Sequence, residues 1–438
     1  MSPVRVCSCS GLEGTVYLPG DKSISHRALL LGAMAQGTTT VSNFLPSGDC
    51  LATAGALRDL GVEVRMPEPH TAVVHGKGLK GFHAPGTPIN CIRSGTTMRL
   101  LAGLLVAQPF ESTLTGEEQL LRRPMERVAK PLRQMGASIY TTDGHAPIVI
   151  VGKHLLHGAR LVLDVPSAQV KSAILLAALH ADSPTTILET APARDHTERM
   201  LRAMGVDLKA CDSDGVREIT LIPPLHPLSS LEINVPGDFS SAAFVLAAAL
   251  LLPQSHVRIK NVGINPTRTG LLDALCQMGA EIRIENERLM ANEPVADLEV
   301  RTSPLEAVEV GGDLVVRMID EFPILAVLAT QARGRTVVHD AAELRVKETD
   351  RIATVVQELK RLGARIEERP DGFEIWGPTQ LRGAPVSSHG DHRLAMSLFV
   401  AGLVAEGETV IDDLDCAADS FPGFLTIMQN LGATYVEN

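Results

Sequence analysis

Six near-identical phrases punctuate the chain: LRDLGVEVR (57–65), LRQMGASI (132–139), LRAMGVDL (201–208), LCQMGAEIR (275–283), LKRLGARIE (359–367) and MQNLGATYV (428–436). Each reads as the end of an amphipathic helix, a glycine stop and a short strand. The glycines Gly61, Gly136, Gly205, Gly279, Gly363 and Gly432 stand 75, 69, 74, 84 and 69 residues apart. Self-similarity at that period means six copies of one α/β supersecondary unit.

The other end of each unit recurs too. A strand-like run leads into a helix of small apolar residues at LPGDKSISHRALLLGA, at IRSGTTMRLLAGLLVA (92–107) and at VPSAQVKSAILLAALHA (165–181). It does so again at VPGDFSSAAFVLAAALL, MIDEFPILAVLATQA (318–332) and HGDHRLAMSLFVAGLVA (389–405). A second, more polar helix then ends in the glycine phrase. Interiors rich in Ala and Gly permit close packing at the centre of a domain. The 438 residues suffice for two large cores, so six units divide as three per domain. LEINVPGDFSS echoes the opening VYLPGDKSIS and follows the Pro-rich LIPPLHPLSS (221–230), which places a seam near residue 232. Such units cannot bury their faces alone, so each domain is expected to close in a pseudo-threefold arrangement with the Ala-rich helices inside. The polar clusters at the unit starts would then share one surface of each domain, and two such surfaces facing each other would make an interdomain cleft for a ligand.

Composition narrows the function. Aromatics are 3% of the chain, so Leu, Val, Ile and Ala must build the cores, and base-stacking surfaces are not expected. A net charge of −11 disfavours a nucleic-acid or membrane binder but not a local cationic pocket for a small anion. No apolar run reaches the roughly 18–20 residues of a membrane span, and the opening residues do not read as a signal peptide. The seven cysteines are scattered, which suits reduced thiols in a cytoplasm. No HxH or HExxH spacing argues for a metal, and no cofactor is expected.

The charged unit starts carry the candidate chemistry. In the first, Pro19-Gly20 breaks a strand, and Lys22, Ser23, His26 and Arg27 open an apolar helix. Open N–H groups at a helix start, joined by Lys and Arg, suit a phosphate or carboxylate. In the second, Ser94-Gly95-Thr96-Thr97 forms a small-residue turn fit to wrap an anion, with Arg99 either facing it or solvated. Arg122-Arg123-Pro124 stands at another helix start. The third offers Ser167, Gln169 and Lys171, then Arg194, His196 and Thr197; Lys171 reads equally as a surface lysine. The fourth, PGDFSSAAF, has lost the cations and reads as structural. The fifth holds Asp320-Glu321 and ELRVKETDR (343–351), and the sixth Asp391-His392-Arg393. Seven cations (Lys22, Arg27, Arg123, Arg194, Lys347, Arg351, Arg393) against Asp320 and Glu348 make a cationic site in an acidic protein. Its substrates should carry more than one phosphate or carboxylate, and two carboxylates in that company suit proton relay better than metal holding.

Taken in order, PGDKSISHRALLLGA, SGTTMRLLAG, RRPM, SAQVKSAILLA, MIDEFPILAV, ELRVKETDR and DHRLAMS closely resemble the 5-enolpyruvylshikimate-3-phosphate synthase family over essentially the whole chain. The resemblance implies transfer of the enolpyruvyl group of phosphoenolpyruvate to the 5-hydroxyl of shikimate 3-phosphate, in the step before chorismate. It implies two inside-out α/β domains, each of three βαβαββ units, with a second crossover near residue 20. The domains would then be 21–231 on one side, and 1–20 with 232–438 on the other. By motif, Ser23, Arg27, Ser167, Ala168 (through its backbone), Gln169, Arg194, Asp320 and Lys347 look like the shikimate-phosphate shell. Lys22, Gly95, Arg123, Arg351 and Arg393 look like the phosphoenolpyruvate shell. Asp320 would take the hydroxyl proton, and Glu348 or Lys22 would protonate the methylene carbon. Resemblance also implies a monomer with small-molecule substrates only, and competition between glyphosate and phosphoenolpyruvate beside Gly95.

Two positions depart from the family pattern: Arg93 stands where a neutral Asn is common, and Asp419 where a lysine often precedes the last Ser-Phe-Pro. The related transferase acting on UDP-N-acetylglucosamine carries Lys-Asn in the opening motif and usually a reactive cysteine shortly before the loop arginine. Here Lys22-Ser23 and Glu118 occupy those places, and no cysteine lies between Cys91 and Cys211. A non-catalytic scaffold of the same fold would have no reason to keep every charged motif in register.

Overall fold

The computed structural model describes residues 3–152, 155–213, 215–290 and 292–437. The chain divides into two compact units. The first comprises Gly20–Val235 with Leu289–Glu293; the second comprises the chain up to Pro19, Pro236–Arg288 and the chain from Pro294 onward.

Each repeat contributes two main helices and most of a four-stranded sheet, with the short helices Glu118–Leu121 and Asp313–Arg317 in addition. In the first unit the sheets run Glu232–Asn234, Gln36–Ser42, Thr71–Lys77, Glu63–Glu68; then Ile89–Asn90, Ser112–Thr115, His145–Val151, Ser138–Thr142; then Arg160–Val162, Thr185–Glu189, Val216–Leu221, Leu208–Ser213. In all three, the first pair is parallel and the rest antiparallel. The second unit repeats that order. Glu13–Tyr17 pairs in parallel with His256–Gly263, and Val4–Cys7 lies antiparallel between Glu408–Ile411 and Tyr435–Glu437. The two N-terminal strands thus complete sheets whose other members lie hundreds of residues later. Glu232–Asn234 likewise completes the first sheet, beside Gln36–Ser42. The passage between units therefore falls at Val235/Pro236, a little beyond the seam at 232, because that strand echoes the later unit in sequence but pairs with the earlier one.

Within each unit one helix per repeat is buried on all sides: Lys22–Met34, Gly95–Leu105 and Ala168–Ala178 in the first, and Phe239–Leu251, Phe322–Gln331 and His392–Val404 in the second. Their small residues make this possible. A Cβ on Gly103 would lie 2.2 Å from the Ala173 carbonyl oxygen of the neighbouring helix, so glycine is what lets these two backbones meet. Around these helices strands such as Val4–Cys7 and His145–Val151 alternate, with one side chain buried and the next turned outward. Helices are thus inside and sheets outside. The second helix of each repeat ends at its glycine phrase, and all six glycines take the left-handed backbone, with φ between +81° and +111°, that the helix-stop reading requires.

Side-chain caps start five of the six inner helices. Asp21 accepts from Ile24 N, Ser94 from Thr97 N, Ser167 from Val170 N, Asp238 from Ser240 N and Asp391 from Arg393 N. Each cap is worth about 1 kcal/mol. In doing so, it aims the first turn of an inner helix, and its polar side chains, at the end of the unit. Among the described residues no helix is long and apolar enough to cross a membrane.

Candidate functional site

In the first unit, Lys22 is the first residue of its helix, and its ammonium lies 2.5 Å from Asp49 Oδ2, both side chains partly open. Asp49 escaped the sequence reading, although it sits in the first turn of the next helix, Gly48–Asp59. Arg27, one turn further in, is buried. Its Nε donates to Thr197 Oγ1 at 2.7 Å, Nη2 to Ser172 Oγ at 2.8 Å and Nη1 to Ser23 O at 3.0 Å. Burial draws its pKa down to about 10 against the opposing pull of Glu198 and Asp21, so it stays a cation at neutral pH. His26 is also buried, and burial lowers it to about 3; it is a neutral ring bonded to Thr53 Oγ1 at 2.6 Å.

The second repeat brings Gly95 together with two arginines. A Cβ on Gly95 would stand 3.0 Å from Arg123 Nη1 and 3.1 Å from Arg99 Nη1. Arg99 therefore faces the turn. It is buried, donates to Gln169 Oε1 at 2.5 Å and to Pro124 O at 3.2 Å, and so ties the second repeat to the third. Gln169 in turn donates to Thr96 Oγ1 at 2.9 Å. The consecutive arginines part company: Arg122 pairs with Glu118 in solvent, while Arg123 stays at Gly95. Arg93 also leads outward, pairing with Glu117 at 2.7 Å with half its side chain exposed.

Ser167, Ala168 and Gln169 open the third inner helix, half-buried at its N-terminal end. Arg194 is half-buried and close enough to Arg27 for their charges to repel. Lys171 is neither a surface residue nor part of this open face. It is fully buried, 3.0 Å from Glu189 Oε2, 2.7 Å from Glu198 Oε1 and 2.9 Å from Ala193 O. Burial opposes its charge, but the two carboxylates outweigh burial and raise its pKa. A lysine at the start of a helix whose later turns are Ala, Ile and Leu has to find such partners once that helix is buried, and that is the usable signal.

In the second unit Arg351 is the hub. Its Nε donates to Asp391 Oδ2 at 2.8 Å, its Nη2 to Glu348 Oε2 at 2.7 Å, and its Nη1 stands 3.6 Å from Asp320 Oδ1. Burial alone would weaken this cation; Asp391, Glu348 and Asp320 outweigh it and push the pKa up. Burial also opposes the Asp391 carboxylate, but the attraction of Arg351 prevails and its pKa is lowered. Asp391 in addition accepts from Arg393 N at 2.9 Å, so one carboxylate both caps the sixth inner helix and fixes Arg351. Arg393 Nη2 lies 3.5 Å from Asp320 Oδ2, which places the partly open Asp320 against two buried guanidinium groups. Lys347 and Glu348 are half-buried on the short segment just before the Arg351 helix. His392 is buried beside Asp391 as the first residue of its helix. Asp419 closes the 3-10 turn Asp415–Asp419, half-buried.

The cation-free fourth start is internally neutralised. Buried Arg268 donates to Asp238 and, at 3.0 Å, to Ser240 Oγ, whose hydroxyl reaches Glu321. Among the described residues no group of three or more His, Cys, Asp or Glu side chains is placed to hold a metal ion. Each unit can thus offer an anion several fixed N–H donors, and the second adds carboxylates able to exchange protons.

Comparison with known proteins agrees in one direction. The family model for EPSP synthase (3-phosphoshikimate 1-carboxyvinyltransferase) matches residues 7–428. The 3-phosphoshikimate 1-carboxyvinyltransferase of Herpetosiphon aurantiacus is 50% identical over 417 residues, covering 94% of this chain and 95% of that protein. The protein of that name from a Synechococcus strain is 51% identical over 425 residues, covering 96% and 97%. The structure of EPSP synthase from Acinetobacter baumannii superposes with a TM-score of 0.88 at 42% identity, covering 100% of both chains. With its six α/β repeats and its cation-rich helix starts, the chain belongs to the EPSP synthase (3-phosphoshikimate 1-carboxyvinyltransferase) family.

Proposed function

We propose that this chain transfers the enolpyruvyl group of phosphoenolpyruvate to the 5-hydroxyl of shikimate 3-phosphate, releasing inorganic phosphate, as a step of aromatic amino-acid biosynthesis. The observation that carries the mechanism is Asp320, a partly open carboxylate 3.5–3.6 Å from the guanidinium groups of Arg393 and Arg351. It takes the proton of the attacking hydroxyl as the oxygen bonds to C2 of phosphoenolpyruvate. Glu348 or Lys22 delivers a proton to the methylene carbon, giving a tetrahedral phospho-ketal. The methyl group then returns its proton as the C–O bond to phosphate breaks; the departing phosphate carries away the hydroxyl proton held by Asp320, and the vinyl ether remains. No cofactor enters this balance.

Arginine forks and a lysine point charge suit the anions involved. Ser23, Arg27, Ser167, Gln169, Arg194 and Lys347, with the Ala168 backbone, take the sugar phosphate on this reading, and Asp320 meets its hydroxyl. Lys22, Gly95, Arg123, Arg351 and Arg393 take phosphoenolpyruvate, and the arginines match its carboxylate and phosphate oxygens. Arg93 and Asp419 are left without a part. On this reading the two compact units are two domains, and the protein works as a cytoplasmic monomer without nucleic-acid or membrane partners. Seven free thiols, three of them buried, are consistent with a reducing compartment.

The direct test is phosphate release. It should require both substrates together, with the vinyl ether product formed in equal amount. Release from phosphoenolpyruvate alone, or none with both substrates, would overturn the proposal.

A further inference from the structure

Arg27 makes contacts that the reaction itself does not use, and their hydrogen-bond ordering is fully determined. A guanidinium only donates, and each hydroxyl has one proton. Ser172 Oγ donates to Ala168 O at 2.6 Å, so its proton is committed. The 2.7 Å contact between Ser172 Oγ and Thr197 Oγ1 must therefore be made by the threonine proton. Thr197 Oγ1 is then left as the acceptor for Arg27 Nε, and Ser172 Oγ as the acceptor for Nη2. One ordering satisfies every group: guanidinium to Thr197, Thr197 to Ser172, Ser172 to the Ala168 carbonyl. With Nη1 on Ser23 O, three of the five N–H groups of Arg27 are used, and two have no acceptor among the described residues. Arg27, Ser172 and Thr197 are all at most 3% exposed, so water does not compete for these bonds.

The neighbouring residues are paired as well. Lys171 and Glu198, each adjacent in sequence to one of the two hydroxyls, form a buried pair at 2.7 Å between the helices Ala168–Ala178 and His196–Ala203. The pair links the same two helices that carry Ser172 and Thr197, one residue away on each.

We propose that Ser172 and Thr197 are positioning residues for shikimate 3-phosphate binding: they fix the Arg27 fork so that its two remaining N–H groups point at an oxyanion, and tie it to the Ala168 carbonyl. The inference rests on the reading of Arg27 as a sugar-phosphate ligand. Neither hydroxyl touches the substrate. Their effect reaches it only through Arg27, and a double-mutant cycle reads that dependence.

The experiment is calorimetric titration of shikimate 3-phosphate into wild type, Thr197→Val, Thr197→Ser, Ser172→Ala, Arg27→Gln and the Thr197→Val/Arg27→Gln double variant, with KM for both substrates. Loss of one hydrogen bond to a charged group should weaken binding about tenfold in Thr197→Val and in Ser172→Ala. Thr197→Ser should restore it to within about twofold, KM for phosphoenolpyruvate should stay put, and Thr197→Val should add nothing in the Arg27→Gln background. Binding within twofold of wild type in both Thr197→Val and Ser172→Ala overturns the proposal. So does an equal loss in Thr197→Ser and Thr197→Val, or an unchanged penalty in the Arg27→Gln background, since a purely structural role predicts both. Unaltered binding in Arg27→Gln itself would refute the underlying reading of Arg27; a loss there with none in the hydroxyl variants refutes this inference alone.

Discussion

Adding one methyl at Gly95 should act on phosphoenolpyruvate through an arginine. In Gly95→Ala the new carbon would sit 3.0 Å from Arg123 Nη1 and 3.1 Å from Arg99 Nη1. Comfortable contact needs roughly 3.5 Å, so about 0.4–0.5 Å must be found. Arg99 has little room to retreat, being buried and held by Gln169 and the Pro124 carbonyl. Arg123, half-buried, takes up the displacement. Moving a guanidinium from about 2.8 to about 3.2 Å from an oxyanion at an effective dielectric of about 20 costs about 0.7 kcal/mol, or threefold in affinity. If one charge-assisted hydrogen bond is lost outright, the factor exceeds about ten. KM for phosphoenolpyruvate should therefore rise about 3- to 10-fold, with kcat less affected.

The assay is steady-state phosphate release at saturating shikimate 3-phosphate, for Gly95→Ala in wild-type and Arg123→Lys backgrounds. Lysine has no branched head for the methyl to push, so the effect of Gly95→Ala should fall below about twofold there. An equal factor in both backgrounds would refute the argument through Arg123 and place the methyl directly against the ligand. Glyphosate, a longer anion, should lose more than phosphoenolpyruvate in Gly95→Ala, because it has more length to fit beside the same methyl.

Asp320→Ala should lower kcat by about 10²–10⁴-fold, the range for a placed general base, while calorimetric binding of shikimate 3-phosphate stays within about tenfold; a kcat change under threefold would make Glu348 the better candidate. Asp391→Ala should cost about 3–5 kcal/mol of stability in chemical denaturation, since it leaves Arg351 buried beside fewer charges and also removes a helix cap. The sign with pH follows from the lowered pKa of Asp391. Its contribution is complete above the unfolded carboxylate value of about 3.9 and disappears as pH falls through the folded value, so the gap between variant and wild type should be constant near neutrality and close in acid. A gap that widened in acid would contradict that assignment.

How much of this could be read from sequence depends on whether the cause is local. The six glycine stops are local: a left-handed residue after an amphipathic helix leaves its mark on adjacent residues, and Gly61 through Gly432 all take that conformation. The repeat then implies six like α/β units, each built on the same local pattern. The pairing of Val4–Cys7 with Glu408–Ile411 is not local, since nothing in a four-residue strand names a partner four hundred residues away. Charged side chains divide along the same line. The direction of Arg93 is not legible locally because its partner Glu117 is brought to it by the fold, and that of Arg99 because its partners Gln169 and Pro124 are.

The fourth helix start makes the point most sharply. Its cap Asp238 matches Asp21 residue for residue, and the missing cations suggested an inert copy. Arg268, thirty residues on, supplies a buried guanidinium to Asp238 and Ser240 from inside the protein. The same helix start therefore has two fates. Where its charges are left partly open, as with Lys22 and Asp49, it can meet a ligand; where an internal arginine fills the place, as with Arg268, it can only hold the fold together.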